Sequence, residues 1–486
     1  MTQDLSIFVA PLSNYEPPES FWEWLTSAGR KHLESVALKC LHQPPTFLSN
    51  FLRHTDTEQG QSYFSWTYAQ LIEASESLAD HLFSRGVRAN DVICCLATNG
   101  AEWAVMMWAA ARLGATFAAI DPFVVKRIEE FDFLMKSLSP VAIFVQNATS
   151  TAMFDSIASL KAKLTTSSSR NGWTDISSIQ FDQTCCSGYS FRPTVDDFCL
   201  ILCTSGSTGL PKLVPKSVEN WTSEIEDYRT FAESKWSNKS NLVVTTSNFR
   251  PICCIGTVAT WQIGGTVVVP APSFEEEAVL KAIVNHKITH MMVVPAALSL
   301  LTDCSKRTGI RPGTMQYTGC SGDIADADAL QRGREQLRIR RLVGAWGMTE
   351  THPVFGWLKE EHIPTTEQNV VGMGRPLPGS GAKLCAPGTD RLVRRGDKGE
   401  LHISSRSLIN GYGGFNPPNE PFYQDEHGML WFNTGDLAIM NETGVVFIVG
   451  RTKEMIKYKG FGIIPSILED YIQRQFDLVV CYLKLL

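Results

Sequence analysis

The sequence predicts an α/β protein, with a large N-terminal core of mainly parallel sheets flanked by helices and a smaller β-rich subdomain. Three observations carry this expectation. Helix and strand patterns alternate between residues 67 and 120 and again between 242 and 300, the signature of parallel strands joined by covering helices. The apolar run Phe198-Cys199-Leu200-Ile201-Leu202-Cys203 reads as a buried strand that empties into a hydroxyl- and glycine-rich loop. From about Gly372, short strands follow one another with glycine and proline turns.

A chain of 486 residues is too long for one ordinary domain, and about three units are expected. Residues 1–60 are irregular and proline-spotted, and read as a surface wrap. A helix fits Thr67 to Arg85, with Leu71, Ala74, Leu78 and Leu82 on one face and Gly86 as its stop. Residues 92–97 read as a strand, 101–113 as a helix and 116–120 as a second strand. Residues 165–186 are Ser/Thr-rich and read as an exposed connection. Pro251 to Phe274 carries no charge. Gln262, Gly264-Gly265, Pro270 and Pro272 favour a buried helix turning into a buried strand over a membrane span. Strands are expected at 382–386, 399–404, 430–433 and 445–449, with a boundary at Arg451-Thr452-Lys453. The expected divisions are 1–60, a core over 61–371, a β-rich subdomain over 372–450 and a final segment over 451–486.

Hydrophobic content of 44% and charged content of 19% fit a globular enzyme with a large core. A net charge of −6 offers no basic footprint for nucleic acid or an anionic membrane. Met1-Thr2-Gln3-Asp4-Leu5 lacks the cationic region of a secretory signal, so a cytoplasmic protein is expected. The 13 cysteines are odd in number, include three adjacent pairs and form no Cys-x-x-Cys, which points to a reducing compartment without structural zinc. His286 and His290 have metal-binding spacing for a helix, but the segment between them switches from helix to strand, so no metal site is expected there. Gly319-Cys320-Ser321-Gly322-Asp323 fails the Gly-x-Ser-x-Gly elbow at its last position, which argues against a serine hydrolase.

The loop after the 198–203 run is Thr204-Ser205-Gly206-Ser207-Thr208-Gly209-Leu210-Pro211-Lys212. Glycines bring backbone N–H groups close to a ligand, hydroxyls donate to phosphate oxygens and a lysine adds a point charge. These are the parts of a triphosphate cradle; a Ser/Gly-rich surface linker is the plainer alternative. It is not a Walker loop, because Lys212 follows Pro211 and precedes Leu213.

The loop resembles the phosphate-binding signature of the adenylate-forming, AMP-binding superfamily, which includes acyl- and aryl-CoA ligases, luciferases and peptide-synthetase adenylation domains. Four further blocks follow in that superfamily's order. They are Gly344-Ala345-Trp346-Gly347-Met348-Thr349-Glu350, Gly399-Glu400-Leu401 through Gly411-Tyr412, Trp431-Phe432-Asn433-Thr434-Gly435-Asp436-Leu437, and Gly450-Arg451-Thr452-Lys453-Glu454-Met455-Ile456-Lys457-Tyr458-Lys459-Gly460-Phe461. The last is close to the form found in coumarate-CoA-ligase-type enzymes. The resemblance covers roughly residues 60 to 470 and implies ATP-dependent activation of a carboxylic acid to an acyl-adenylate, with CoA or a carrier protein as acceptor.

The resemblance also implies roles. Thr204, Ser205, Gly206, Ser207, Thr208, Gly209 and Lys212 would hold the phosphates, Thr349 the α-phosphate and Glu350 a Mg²⁺ ion. Trp346, beside Gly347, would lie against adenine where most relatives have tyrosine. Cys320 and Ser321 would line the other adenine edge by backbone contacts. Asp436 would accept from the ribose hydroxyls, Arg451 would stand near them and Lys453 would occupy the hinge. Arg250, Trp261 and Gly319 fall at the acid pocket. Taken alone, Glu350 also reads as a capping or surface acid, and Asp436 as a turn-forming residue.

Three departures stand out. Phe249-Arg250 replaces a Phe-His pair, so Arg250 either pairs with a second carboxylate on the substrate or faces solvent. Leu213 stands where glycine is usual. The resemblance fades after Glu469, and no residue matches the lysine of the C-terminal lid; Lys484 does not fit by spacing, so a truncated lid is expected. The leading reading is an acyl- or aryl-CoA ligase, compatible with secondary metabolism. The alternatives are a lid-less nucleotide-binding relic and a fragment of a multidomain synthetase or carboxylate reductase.

Overall fold

The computed structural model describes residues 4–463 except 12–14, 54–60, 147, 167–170, 181–193, 205–209, 232–235, 324–325, 352, 358–362, 367–368, 415–420, 453–455 and 459–460. Within them lie two seven-stranded sheets and one six-stranded sheet.

The first sheet has the order Lys212–Ser217, Phe198–Thr204, Thr116–Ala119, Val92–Leu96, Ala142–Val145, Ala162–Thr165, Thr174–Asp175. All its neighbours are parallel except Lys212–Ser217, which folds back antiparallel on Phe198–Thr204. The second sheet has the order Arg341–Gly344, Tyr317–Cys320, His290–Val293, Asn241–Val243, Thr266–Val269, Val36–Cys40, Phe64–Thr67, with only the last pair antiparallel. Strands such as Thr116–Ala119, Ala142–Val145 and His290–Val293 are buried at every position. Parallel strands covered on both faces read as continuous apolar runs, which is why the alternation was visible in the sequence.

Two helices fill the space between these sheets. Ala101–Leu113 is buried at every residue but Arg112, and Pro251–Gln262 is buried from Cys253 through Trp261. A helix apolar on all sides must be covered on all sides. Trp108 meets Trp22 edge-on at 6.1 Å and Trp261 at 5.4 Å, and Trp261 Nε1 donates to the Ala37 carbonyl at 3.0 Å. Gly264, at φ +80°, ends the second helix, and a Cβ on Gly265 would lie 2.7 Å from the Ser240 carbonyl oxygen, so the pair must be glycine there.

The expected helix near residue 67 is Tyr68–Ser84, opened by a reciprocal cap. Gln70 N–H donates to the Thr67 hydroxyl (3.3 Å) and Thr67 N–H donates to Gln70 Oε1 (2.9 Å). Between His286 and His290 the chain leaves the helix Glu276–Asn285 and enters a strand, so the two imidazoles do not share a helix face.

The N-terminal segment corrects the expected surface wrap. Val36–Cys40 is an inner strand of the second sheet, and Phe21–Thr26 is a helix that buries Phe21, Trp22 and Leu25. Ile7–Val9 adds an edge to the third sheet. The connection after Thr165 also differs from an exposed linker, since Trp173, Ile176 and Ile179 are buried.

The third sheet is antiparallel, in the order Ile7–Val9, Gly381–Cys385, Lys398–Ser404, Leu430–Met440, Phe422–Gln424, with Val446–Arg451 paired on Leu430–Met440. Ten cysteines among the described residues are free, nine of them buried and Cys203 half-buried. Among the described residues no helix is long and apolar enough to cross a membrane.

The tryptophan layer between the sheets should dominate stability. Trp108→Ala is expected to cost about 3–5 kcal/mol, read as a lower denaturant midpoint with an unchanged m-value in urea unfolding.

Candidate active site

Asn241–Val243, His290–Val293, Tyr317–Cys320 and Arg341–Gly344 run parallel, so their C-terminal ends open on one edge of the second sheet. The chain leaves these ends toward Asn248–Arg250, Val294, Ser321 and residues 345–350. The first sheet meets this edge through a clasp. Asn99 Nδ2 donates to the Thr246 carbonyl (3.0 Å), Asn248 N–H to Asn99 Oδ1 (2.8 Å) and Asn248 Nδ2 to the Thr98 carbonyl (2.7 Å). The C-terminal ends of both parallel sheets thus face one crevice, the usual place for a ligand in open α/β sheets.

Thr204 and Lys212 are paired across adjacent antiparallel strands. Ser205, Gly206, Ser207, Thr208 and Gly209 lie outside the described residues, as does Lys453. Leu213 is bridged to the segment after Tyr412, with Gly413 N–H donating to the Leu213 carbonyl at 2.9 Å. Lys212 Nζ stands 4.7 Å from the centre of the Tyr412 ring. The Tyr412 hydroxyl donates to Glu350 Oε1. Burial and the Glu350 carboxylate both push the Tyr412 phenol up from its ordinary value.

Met348 and Thr351 exchange backbone hydrogen bonds (3.0 and 3.3 Å), which places Thr349 and Glu350 at the tip of a tight turn. The Glu350 side chain is buried. Its carbonyl accepts from Ile409 N–H (3.2 Å) and from Lys216 Nζ (3.0 Å). Sequence reasoning gave Tyr412 no role and missed Lys216. The signal available for Lys216 was its spacing of four from Lys212 on a strand, which puts both lysines on one face.

Asp436 sits opposite Arg451 in the third sheet and is buried. Its Oδ1 accepts from Arg451 Nε at 2.9 Å and its Oδ2 from Trp346 Nε1 at 3.1 Å. Trp346 is itself buried and packs tilted on Phe355 at 5.3 Å. Trp346, Gly347, Thr349, Glu350, Asp436, Arg451 and Lys212 therefore come together. Cys320 is the last residue of its strand, and its carbonyl accepts from Ala345 N–H (2.8 Å), while Ser321 N–H donates to the Val293 carbonyl (3.0 Å). These bonds leave fewer backbone groups on this pair for an adenine edge than the sequence implied. A Cβ on Gly319 would meet Met292 at 2.8 Å.

Arg250 is the N-cap of Pro251–Gln262, is exposed, lies 5.6 Å from the Phe249 ring centre and has no carboxylate partner among the described residues. Trp261 is not beside it. It lies about 16 Å further along the same helix axis by helical rise, fully buried, and lines an apolar cavity with Leu38, Asn99, Trp103, Val244, Asn248 and Cys253.

An ionic layer underlies the turn. The Lys216 and Glu224 side chains are wholly buried and pair at 2.6 Å, and burial pushes the Glu224 carboxyl up to about 7 against the pull of Lys216. One helical turn on, burial pushes Asp227 up to about 8, opposed by Arg406 and reinforced by Glu224 and Glu226. Arg406 also donates to the Tyr15 carbonyl at 3.2 Å, and the Tyr15 hydroxyl bonds to Thr222.

A family model described as "AMP-binding enzyme" matches residues 47–413. Among curated proteins, the chain is similar to the acyl-CoA ligase SID4 of Ajellomyces capsulatus, at 28% identity over 448 residues, covering 83% of this chain and 71% of that protein. It is also similar to the 4-coumarate–CoA ligase-like 3 protein of Arabidopsis thaliana, at 25% identity, covering 83% and 73%. Among solved structures, ATP-bound MatB from Rhodopseudomonas palustris superposes with a TM-score of 0.75 at 19% identity, covering 93% of this chain and 83% of that one. At that identity the superposition shows a shared fold.

Asp227 gives the site a pH signature. Its folded-state value lies near 8 rather than 3.8, so between those limits the folded protein keeps a proton that the unfolded chain has released. The group's contribution to stability is therefore lost as pH rises across that window. Asp227→Asn should raise the melting temperature over wild type at pH 8, by about 2 kcal/mol of stability, with the gain vanishing toward pH 4 in thermal unfolding scans.

Proposed function

Because the chain belongs to the AMP-binding enzyme family, we propose that it activates a carboxylic acid with ATP, forming an acyl-adenylate and pyrophosphate, and passes the acyl group to the thiol of CoA. The observation that carries this reading is the grip on Glu350. A buried carboxylate at a turn tip is held by Tyr412, which lies under Lys212 at the start of the strand Lys212–Ser217.

In this reading two anions, a carboxylate and a triphosphate, must be brought into line. The work is charge neutralisation and positioning. Thr204, Ser205 to Gly209 and Lys212 hold the β- and γ-phosphates. Thr349 donates to the α-phosphate. Trp346 covers the adenine and Asp436, steadied by Arg451, accepts from the ribose hydroxyls. The donor set fits Mg²⁺: one protein carboxylate, Glu350, beside phosphate oxygens is how that ion is commonly held. When bound it neutralises phosphate charge. The Tyr412 hydroxyl takes one Glu350 oxygen and leaves the other for a cation.

CoA as acceptor is supported by the ligase names of the relatives. The lid lysine that the resemblance implies has no assigned position, and residues 464–486 lie outside the described residues. Adenylation and thioester formation are therefore separate measurements. Arg250, exposed and without a carboxylate partner among the described residues, is open to an anionic group on the acid, so the panel of acids should include dicarboxylates.

The purified chain should catalyse carboxylate-dependent ATP–pyrophosphate exchange and, with CoA, release an acyl-CoA. Asp436→Asn should lower kcat/KM for ATP about tenfold or more, since a lost charge-assisted bond is worth roughly 1.5–3 kcal/mol. Absence of exchange with a broad panel would sink the adenylation reading; ATP binding without exchange would instead support a nucleotide-binding relic.

A further inference from the structure

We propose that Lys216, held by Glu224, is a positioning residue that locks the Thr349–Glu350 turn to the strand Lys212–Ser217. The inference rests on the reading that this turn meets the α-phosphate and the metal of a bound nucleotide.

Lys212, Val214 and Lys216 alternate along the strand Lys212–Ser217 and share a face. That face packs on the third sheet's cluster, where Val214, Trp346 and Tyr412 are buried together. The two lysines reach the same residue by different routes. Lys212 stands over the Tyr412 ring, whose hydroxyl bonds the Glu350 carboxylate. Lys216 Nζ bonds the Glu350 carbonyl directly at 3.0 Å. Side chain and main chain of Glu350 are thus both tied to the strand Lys212–Ser217.

Stability alone does not account for Lys216. Its ammonium and the Glu224 carboxylate are completely removed from water. Such pairs are often replaceable by apolar residues at no loss of stability. This one is also imperfectly satisfied, because Glu224 Oε1 is buried with no hydrogen-bond partner among the described residues. What the pair supplies is direction: Glu224 aims a charged donor at one carbonyl. Among the described residues that carbonyl otherwise receives only Ile409 N–H, at 3.2 Å. A turn held at its backbone and at its carboxylate presents Glu350 in one geometry, as an outer partner does for a metal ligand.

The test is a calorimetric titration of ATP binding against Mg²⁺, with urea unfolding on the same samples, so that it needs no turnover. Lys216→Met/Glu224→Leu, with apolar groups of similar size, is expected to unfold at a wild-type midpoint while half-saturating Mg²⁺ rises about tenfold. Lys216→Arg, which keeps a buried cationic donor, should recover most of that loss. Should the double variant fail to fold, the near-isosteric Glu224→Gln should show a smaller rise in the same direction. A folded variant with wild-type Mg²⁺ dependence overturns the positioning role, and loss of folding in both overturns it in favour of a purely structural pair. Wild-type protein that binds no ATP at any Mg²⁺ concentration overturns the nucleotide reading and this role with it.

Discussion

Two helices with almost no polar face constrain the rest of this protein. Ala101–Leu113 and Pro251–Gln262 can be buried on all sides only between two sheets, and both sheets that enclose them are mainly parallel. Each parallel strand then delivers its following segment to the same edge. The Asn99–Asn248 clasp brings the two edges into register with each other. The position of Thr204 at its strand end, the turn at Thr349–Glu350 and the segment before Arg250 are consequences of that alignment. The third sheet takes one edge strand from the start of the chain and the rest from residues 381–451; its strands supply Asp436 and Arg451, and the segment that leaves Lys398–Ser404 supplies Tyr412.

The alternation of the core was legible because wholly buried parallel strands write themselves as unbroken apolar runs, and because Thr67 and Gly86 mark helix ends in the local sequence. The N-terminal contribution was not legible for the opposite reason. Val36–Cys40 is short, and its parallel partner lies beyond residue 260, with Leu38 beside Val267. No local pattern reports a pairing at that distance. Proline spotting then made the segment look like an exterior wrap, although Trp22 and Leu25 reach the central tryptophan layer.

At the site, Lys212, Glu350, Tyr412, Asp436 and Arg451 are brought together by bonds that were invisible in the sequence. Tyr412 and Glu350 stand 62 residues apart and meet through one hydroxyl. Asp436 was read as an open acceptor, yet both its oxygens are engaged, by Trp346 and Arg451. A tryptophan in place of tyrosine thus changes more than a stacking surface, since its N–H reaches the carboxylate. Trp261 and Arg250 stand at opposite ends of one apolar helix, Arg250 exposed at its N-cap and Trp261 buried, where it lines a cavity that Asn248 also lines.

The buried thiols carry a consequence of their own. Desolvation raises Cys94, Cys95, Cys199, Cys253 and Cys254 far from the thiolate form that alkylating agents attack. They are distributed over strands of the first sheet and over the helix between the sheets. Reagent can reach them only when those elements part. The protein thus carries native reporters in its interior, and the order in which they are labelled would rank the opening energies of its layers.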